Sequence, residues 1–589
     1  MGLLDLSEFG LTGRSPGPIT TPLVTMNRRN FLLAGGAAVA ATALPTAAGA
    51  ADVNDEAAAF IKAHVAKLQP LEVRANLSWW DANTTGRDDD FKKKEEAQNK
   101  IDEALADKAA FDRVKGLKGA ADKGGLTDPL VARQVQLLYL QYLEKQVPPD
   151  LLKKMTAKAN AVEQAFNVFR ATVDGAEVAD SKVRSTLKES TDSGLRQKVW
   201  EASKGVGAKV EADLAELVTL RNEAATRLGF KNFHALQLAL NEQNGPDLIK
   251  LFDDLDALTK EPFTKAKTDI DGRLAKRFGV AVGDLMPWHY FDPFFQETPG
   301  VFDANLDTPY QKADLLDLCR EFYSGIGLPI QDVIARSDLY EKKGKSPHAF
   351  CTDIDREGDV RVLANVVPNE YWMGTMLHEL GHSVYSSKNI PAKLPYVLRA
   401  EAHILTTEGV AMQFERLSKS RAWIEKMGLK VEDAAAFDAA AAKIQRNQLL
   451  IFSRWCQVML RFEKGMYEDP KQDLNALWWE LVEKYQQVKK PKGRNAPDYG
   501  SKIHICSAPV YYHNYMMGQL FASQVHHALS KEVFDADPSK VIYIGEKRVG
   551  EFMKKKVFEP GRTKDWKDLT RFATGSELSP KAFAKDFEG

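Results

Sequence analysis

Two histidines four residues apart, with a glutamate beside the first, form the segment of this chain best suited to chemistry: His378-Glu379-Leu380-Gly381-His382. On a helix, residues i and i+4 lie on one face, so His378 and His382 can offer imidazole nitrogens to one metal ion. Glu379 then sits where its carboxylate can reach a water at that metal and take its proton. A hydrolytic zinc needs a third protein ligand and one position left open. Downstream, Glu401, Glu408 and Glu415 recur every seven residues. They lie in a segment, Leu398 to Glu415, that reads as a second helix, so the three carboxylates would share a face.

The elements that must hold these groups are mostly helices. Tyr371 to Leu377 is an apolar run that would bury the first motif. From Asp55 to about Ser203, apolar residues recur at three- and four-residue intervals, as in the face Val135-Leu137-Leu138-Leu140-Tyr142-Leu143. Further helical blocks are expected from Gln197 to Leu228, where Gly229 is a natural stop, and from Pro246 to Phe278. Asp89 to Lys108 is a charged run that reads as a solvated helix surface. The one strand signal is His348 to Val367, with a turn at Arg356-Glu357-Gly358. Breaks fall near Pro287–Pro299 and Pro391–Pro395, but no long Ser/Gly or Pro linker divides the chain. A mainly α fold follows, as one large helical domain with a small β element.

The first fifty residues read as an address. Asn27-Arg28-Arg29-Asn30-Phe31-Leu32 opens an apolar run ending at Leu44, followed by Ala48-Gly49-Ala50. Charged start, short apolar stretch and small-residue cleavage pattern make residues 1–50 an export signal of the twin-arginine kind, with Met26 the expected true start. About fourteen apolar residues are too few to span a bilayer of about 30 Å. Residues 51–589 are then the mature chain, exported into a bacterial periplasm, with no stable membrane span. In the 589 residues, 80 Lys and Arg face 81 Asp and Glu, so no charge excess argues for nucleic acid as a partner. Four cysteines, Cys319, Cys351, Cys456 and Cys506, are too few and too scattered for a disulfide framework. Six of the 11 histidines fall between His348 and His513, so a flat total conceals a clustered site.

The segment His378 to Phe414 resembles the zinc peptidases of the angiotensin-converting-enzyme family, and more distantly the thimet-oligopeptidase-like family. Pro347-His348-Ala349 resembles the family's substrate-binding strand, Lys502-Ile503-His504 its Lys-x-His element, and Tyr512-His513-Asn514-Tyr515 its Tyr-x-x-Tyr element. Ser78 to Thr85 resembles an early family segment. These motifs arrive in the family's order along nearly the whole mature chain. The resemblance implies a two-lobed helical fold with a deep central cleft, one zinc ion and peptide substrates that lose C-terminal dipeptides. Glu401, with eighteen residues between it and His382, has the spacing of zinc aminopeptidases; Glu408, with twenty-five, has the better ligand setting in Thr407-Glu408-Gly409. His378, His382 and Glu408 are the expected zinc ligands. Glu401 and Glu415 are left as solvated positions, or as carboxylates orienting a ligand histidine.

The remaining roles follow from the resemblance. His348 and Ala349 would pair with an extended peptide. Lys502 and Tyr512 would hold the substrate's terminal carboxylate. His504 and Tyr515 would stabilise the oxyanion, with Glu379 as the base. His513, His526 and His527 read as structural. Three departures stand out. The interval from His504 to Tyr512 is one residue longer than in the family, which makes Tyr511 a rival for Tyr512 and Asn514 a rival for Tyr515. Asn514 or His513 stands where the family has a chloride-binding Arg, which speaks against chloride activation. The family's carboxylate-binding glutamine has no clear match, and His289 is the nearest candidate. An endo-oligopeptidase, an aminopeptidase and a non-catalytic peptide receptor on the same fold are the alternatives. The oligomeric state has no signature in the sequence.

Overall fold

In the computed structural model, residues 52–301 and 305–587 are described; the export signal expected over residues 1–50 lies outside them. The architecture is mainly helical, with two separate two-stranded antiparallel sheets. Local chemistry explains most helix starts. Asp192, Asn232 and Asn244 each accept a hydrogen bond from a backbone N–H of the helix they precede, and Pro246 occupies the first turn of the helix Gly245–Phe278. That helix ends at Gly279, at φ +65°. The expected helical blocks are observed as Ser193–Arg227 and Gly245–Phe278. One continuous apolar core runs from Ala57 to Phe587 and joins both long helices to a third, Ala434–Glu468. Among the described residues, no helix is long and apolar enough to cross a membrane.

Three local expectations are corrected. The strand signal at His348–Val367 resolves into Phe350–Asp353 paired with Val360–Leu363, around a turn with Arg356 at φ +57° and Gly358 at φ +110°. His348 and Ala349 therefore precede the strand rather than lie in it. A second hairpin, Ala171–Val173 with Ala176–Val178, was not expected, although its Asp174-Gly175 turn, with both residues at positive φ, is a strong hairpin signal. Finally, the second ligand helix runs only from Ile404 to Glu415. His403 stops it from starting earlier. Its extended backbone (φ −161°) and its Nδ1, which accepts the Leu405 N–H at 3.1 Å, cap the helix. Glu401 lies in the preceding loop and so shares no helix face with Glu408.

Candidate metal centre

The motif helix, Glu370–Val384, starts at Asn369, whose side chain accepts the Trp372 N–H at 2.8 Å. Met373, Met376, Leu377 and Leu380 are fully buried and fix its orientation. It packs against the ligand helix Ile404–Glu415, which in turn packs against a third helix, His513–Leu529. These approaches require glycine. A Cβ on Gly381 would stand 2.8 Å from the Ala411 Cα, and one on Gly409 would stand 2.8 Å from the Gly518 carbonyl oxygen. Both glycines sit inside segments that the sequence already singles out, yet their packing role is visible only in three dimensions.

Close packing brings three donors together. The Nε2 atoms of His378 and His382 are 3.1 Å apart, and the Glu408 Oε2 lies 3.6 Å and 3.9 Å from them. Tetrahedral zinc with bonds of about 2.0–2.1 Å needs ligand separations of about 3.3 Å, so this triangle is nearly the right size for one ion. Among the described residues, His378, His382 and Glu408 are the group able to hold a metal. Each imidazole is also oriented from behind: His378 Nδ1 is 2.7 Å from Glu415 Oε2, and His382 Nδ1 is 2.7 Å from Thr407 Oγ1. Nδ1 protons directed at those oxygens would leave both Nε2 lone pairs free for a metal. Glu415 thus fits the histidine-orienting alternative. Burial pulls the His378 pKa down, but the bonded Glu415 carboxylate more than offsets it and the net direction is up. Burial, followed by the His378 charge, holds His382 well below the ordinary range.

Three carboxylate oxygens of this site are buried without a hydrogen-bond partner. Glu408 Oε2 and both oxygens of Glu379 make no hydrogen bond, and Glu379 is fully buried. Such groups are costly unless something else satisfies them. A cation between His378, His382 and Glu408, with a water beside Glu379, would do so; the residues fit the group.

A second cluster lies around Lys502. Its Nζ donates to Gln296 Oε1 at 2.7 Å and stands 5.2 Å from the Tyr512 ring centre. The His504 ring is 4.9 Å from Tyr512 and 6.4 Å from Tyr515. Burial, with Lys502 nearby, keeps His504 well below its usual pKa, and burial, with Glu408 nearby, raises Tyr515. Both are therefore neutral hydrogen-bond donors at ordinary pH. Tyr512 and Tyr515 are the pair gathered at His504. Asn514 instead accepts from Gln243 Nε2 at 2.8 Å, and Gln243 Oε1 lies 2.8 Å from His513 Nε2. His289 is corrected: its Nδ1 accepts the Met286 N–H and its Nε2 lies 3.1 Å from Ser193, whereas Gln296 is the side chain at Lys502. His526 and His527 are tied to Tyr543, Pro538 and Asp586. His348 and Ala349 are half-buried before the strand whose Cys351 Sγ contacts Ser383 on the motif helix at 3.5 Å.

A His-His-Glu donor set clamped between buried helices of a mainly α chain is the layout of a metallopeptidase. A family model described as angiotensin-converting enzyme matches residues 51–261 and 295–589. The chain belongs to this family of zinc-dependent peptidases. Similar proteins include angiotensin-converting enzymes of Sus scrofa, at 22% identity over 82% of this chain and 39% of that protein, and of Rattus norvegicus, at 22% over 69% and 33%. The angiotensin-converting enzyme of Theromyzon tessulatum is 22% identical over 46% of this chain and 45% of its own length. The chain therefore spans between about a fifth and a half of the length of the curated relatives it matches. Residues 25–45 match a twin-arginine translocation signal, which directs export by that pathway.

Proposed function

We propose that residues 51–589 form one catalytic unit with a cleft, a zinc peptidase that removes dipeptides from the C-termini of oligopeptides in a bacterial periplasm. The observation that carries this reading is the pairing of the His378–His382–Glu408 triangle, beside an unpartnered Glu379, with a Lys502–Gln296 grip whose Tyr512 adjoins His504 and Tyr515.

His378, His382 and Glu408 would hold the zinc ion. When bound, zinc supplies Lewis acidity, polarising a peptide carbonyl and acidifying water. Glu379 takes a proton from the attacking water at its carboxylate and returns one to the leaving amine nitrogen. The His504 N–H and the Tyr515 O–H donate to the negative charge developing on the carbonyl oxygen. Lys502, with Gln296 and Tyr512, binds the free C-terminal carboxylate and so sets which bond is presented. His348 and Ala349 offer backbone groups to an extended substrate.

The test is mass spectrometry of the products from a random peptide pool, digested with and without a chelator. Stepwise loss of C-terminal dipeptides, abolished by chelation and by C-terminal amidation, is the expected result. Internal cuts or release of N-terminal residues would overturn the dipeptidase reading and leave the metallopeptidase one.

A further inference from the structure

Val510 adopts φ +57°, a left-handed conformation that a β-branched residue avoids. It follows Pro509 in the turn that leads into the helix His513–Leu529, and a left-handed position after proline is normally left to Gly or Asn. Something must hold it there. The Val510 N–H donates to Glu463 Oε1 at 2.8 Å, and Glu463 is itself buried in the middle of the core on the long helix Ala434–Glu468. One helical turn further along that helix, Tyr467 accepts a hydrogen bond from Arg221 at 3.0 Å. The anchor is therefore tied to a rigid element from a distant part of the chain.

The turn sets the phase of everything after it. The Asn514 N–H bonds the Tyr511 carbonyl at 3.0 Å and the Tyr515 N–H bonds the Tyr512 carbonyl at 3.2 Å, so the helix continues directly from the turn. Were Val510 to relax to negative φ, the chain would enter the helix along a different direction, and Tyr512 and Tyr515 would leave the His504 ring. We infer that Glu463 is a positioning residue: by holding Val510 left-handed it fixes which tyrosines face the catalytic cluster. This rests on the roles proposed above for Tyr512 and Tyr515. Burial pushes the Glu463 pKa up to about 8, so the side chain is neutral near pH 7 and glutamine is its close replacement there.

The experiment measures kcat and KM on a fluorogenic oligopeptide with a free C-terminus, using the zinc-loaded mature chain. Variants are Glu463→Gln, Glu463→Met, Val510→Gly, the double variant of Glu463→Met with Val510→Gly, and Tyr515→Phe. Loss of an oxyanion donor costs about 10²–10³ in rate, and a displaced donor forfeits part of that. Glu463→Met is expected to lower kcat about tenfold with a smaller change in KM. Glu463→Gln is expected to keep the wild-type rate, and Val510→Gly to restore the Met variant, because glycine holds positive φ without an anchor. A Met variant with full kcat, or one that glycine fails to rescue, would overturn the assignment. If the Met variant does not fold, the double variant decides: folded and active supports the inference, while inactive or unfolded makes Glu463 a core residue only. Should Tyr515→Phe retain full activity, the tyrosine role itself fails, which is a separate outcome.

Discussion

The two halves of the site are built in opposite ways. The metal cradle comes from two regular helices, and its precision is that of the helix: His378 and His382 are one turn apart, and Glu408 follows from how closely Gly381 and Gly409 let the helices approach. The proposed carboxylate grip comes from irregular chain. Gln296 lies in a stretch where Phe291 and Phe295 both have positive φ, and Tyr512 follows left-handed Val510. That stretch is held by side chains bonded to its backbone. Asp292 accepts N–H groups from Phe294 and Gln296, Gln486 donates to the carbonyls of Phe294 and Phe295, and Gln448 accepts from Thr298. Regular elements position by repetition, whereas loops position by individual buried anchors. Damage to the cradle should therefore stop the reaction, and damage to the grip should change which substrates are used.

The largest expected effect breaks the cradle. Glu379→Gln removes the proposed base while keeping the shape, so kcat should fall about a hundred- to ten-thousandfold with zinc content, read by atomic absorption, unchanged. A Gln variant that retains activity would remove Glu379 from its role. Next comes the support behind the ligands. Glu415→Gln weakens the acceptor at His378 Nδ1, and such outer contacts are worth about 10–100-fold in metal affinity. Competition with a chelating dye should show a loss of that size, and an unchanged zinc affinity would make the contact incidental.

This contrast also explains what could be read in advance. The two histidines and their glutamate fall within one helical turn, so local periodicity sufficed. Choosing Glu408 over Glu401 rested on the residues around each, and the structure separates them physically, because His403 caps the helix between them. Glu415 stayed ambiguous because its partner His378 belongs to another helix, and no pattern within one segment reports such a contact. Gln296 was missed for a stronger reason: it meets Lys502 across 206 residues of sequence, from a loop with no periodicity. Fold class, the ends of the two long helices Ser193–Arg227 and Gly245–Phe278 and the strand turn were legible because each has a local cause. The Asp174-Gly175 hairpin was legible too and was overlooked among the surrounding helices.

A middle-sized effect sharpens the comparison on the grip side. Lys502→Met removes the charge proposed to pair with a terminal carboxylate, an interaction worth about 1.5–3 kcal/mol, or about 10–100-fold. KM should rise by that factor for free-acid peptides and hardly move for their amidated counterparts, with kcat less affected. Equal losses on both would assign Lys502 to packing against Trp455 and Phe294.

The smallest effect tests whether an anchor acts only through what it positions. Asp292 is bonded to the loop itself: its carboxylate accepts the N–H groups of Phe294, Gln296 and Glu297 at 2.8, 3.0 and 3.3 Å. Burial pushes its pKa up, and these hydrogen bonds and then the nearby Lys502 charge pull it down, with the net direction upward. Asp292→Ala leaves those donors without their acceptor and frees Phe295 to leave its positive φ, which should loosen Gln296 against Lys502. One net hydrogen bond is worth about 0.5–1.5 kcal/mol, so a two- to tenfold rise in KM on free-acid peptides is expected, with kcat and zinc affinity unchanged. Asp292→Asn keeps one acceptor and should lie between. If the alanine variant lowers kcat as much as it raises KM, the loop supports the cradle as well, and the division between the two halves of the site fails.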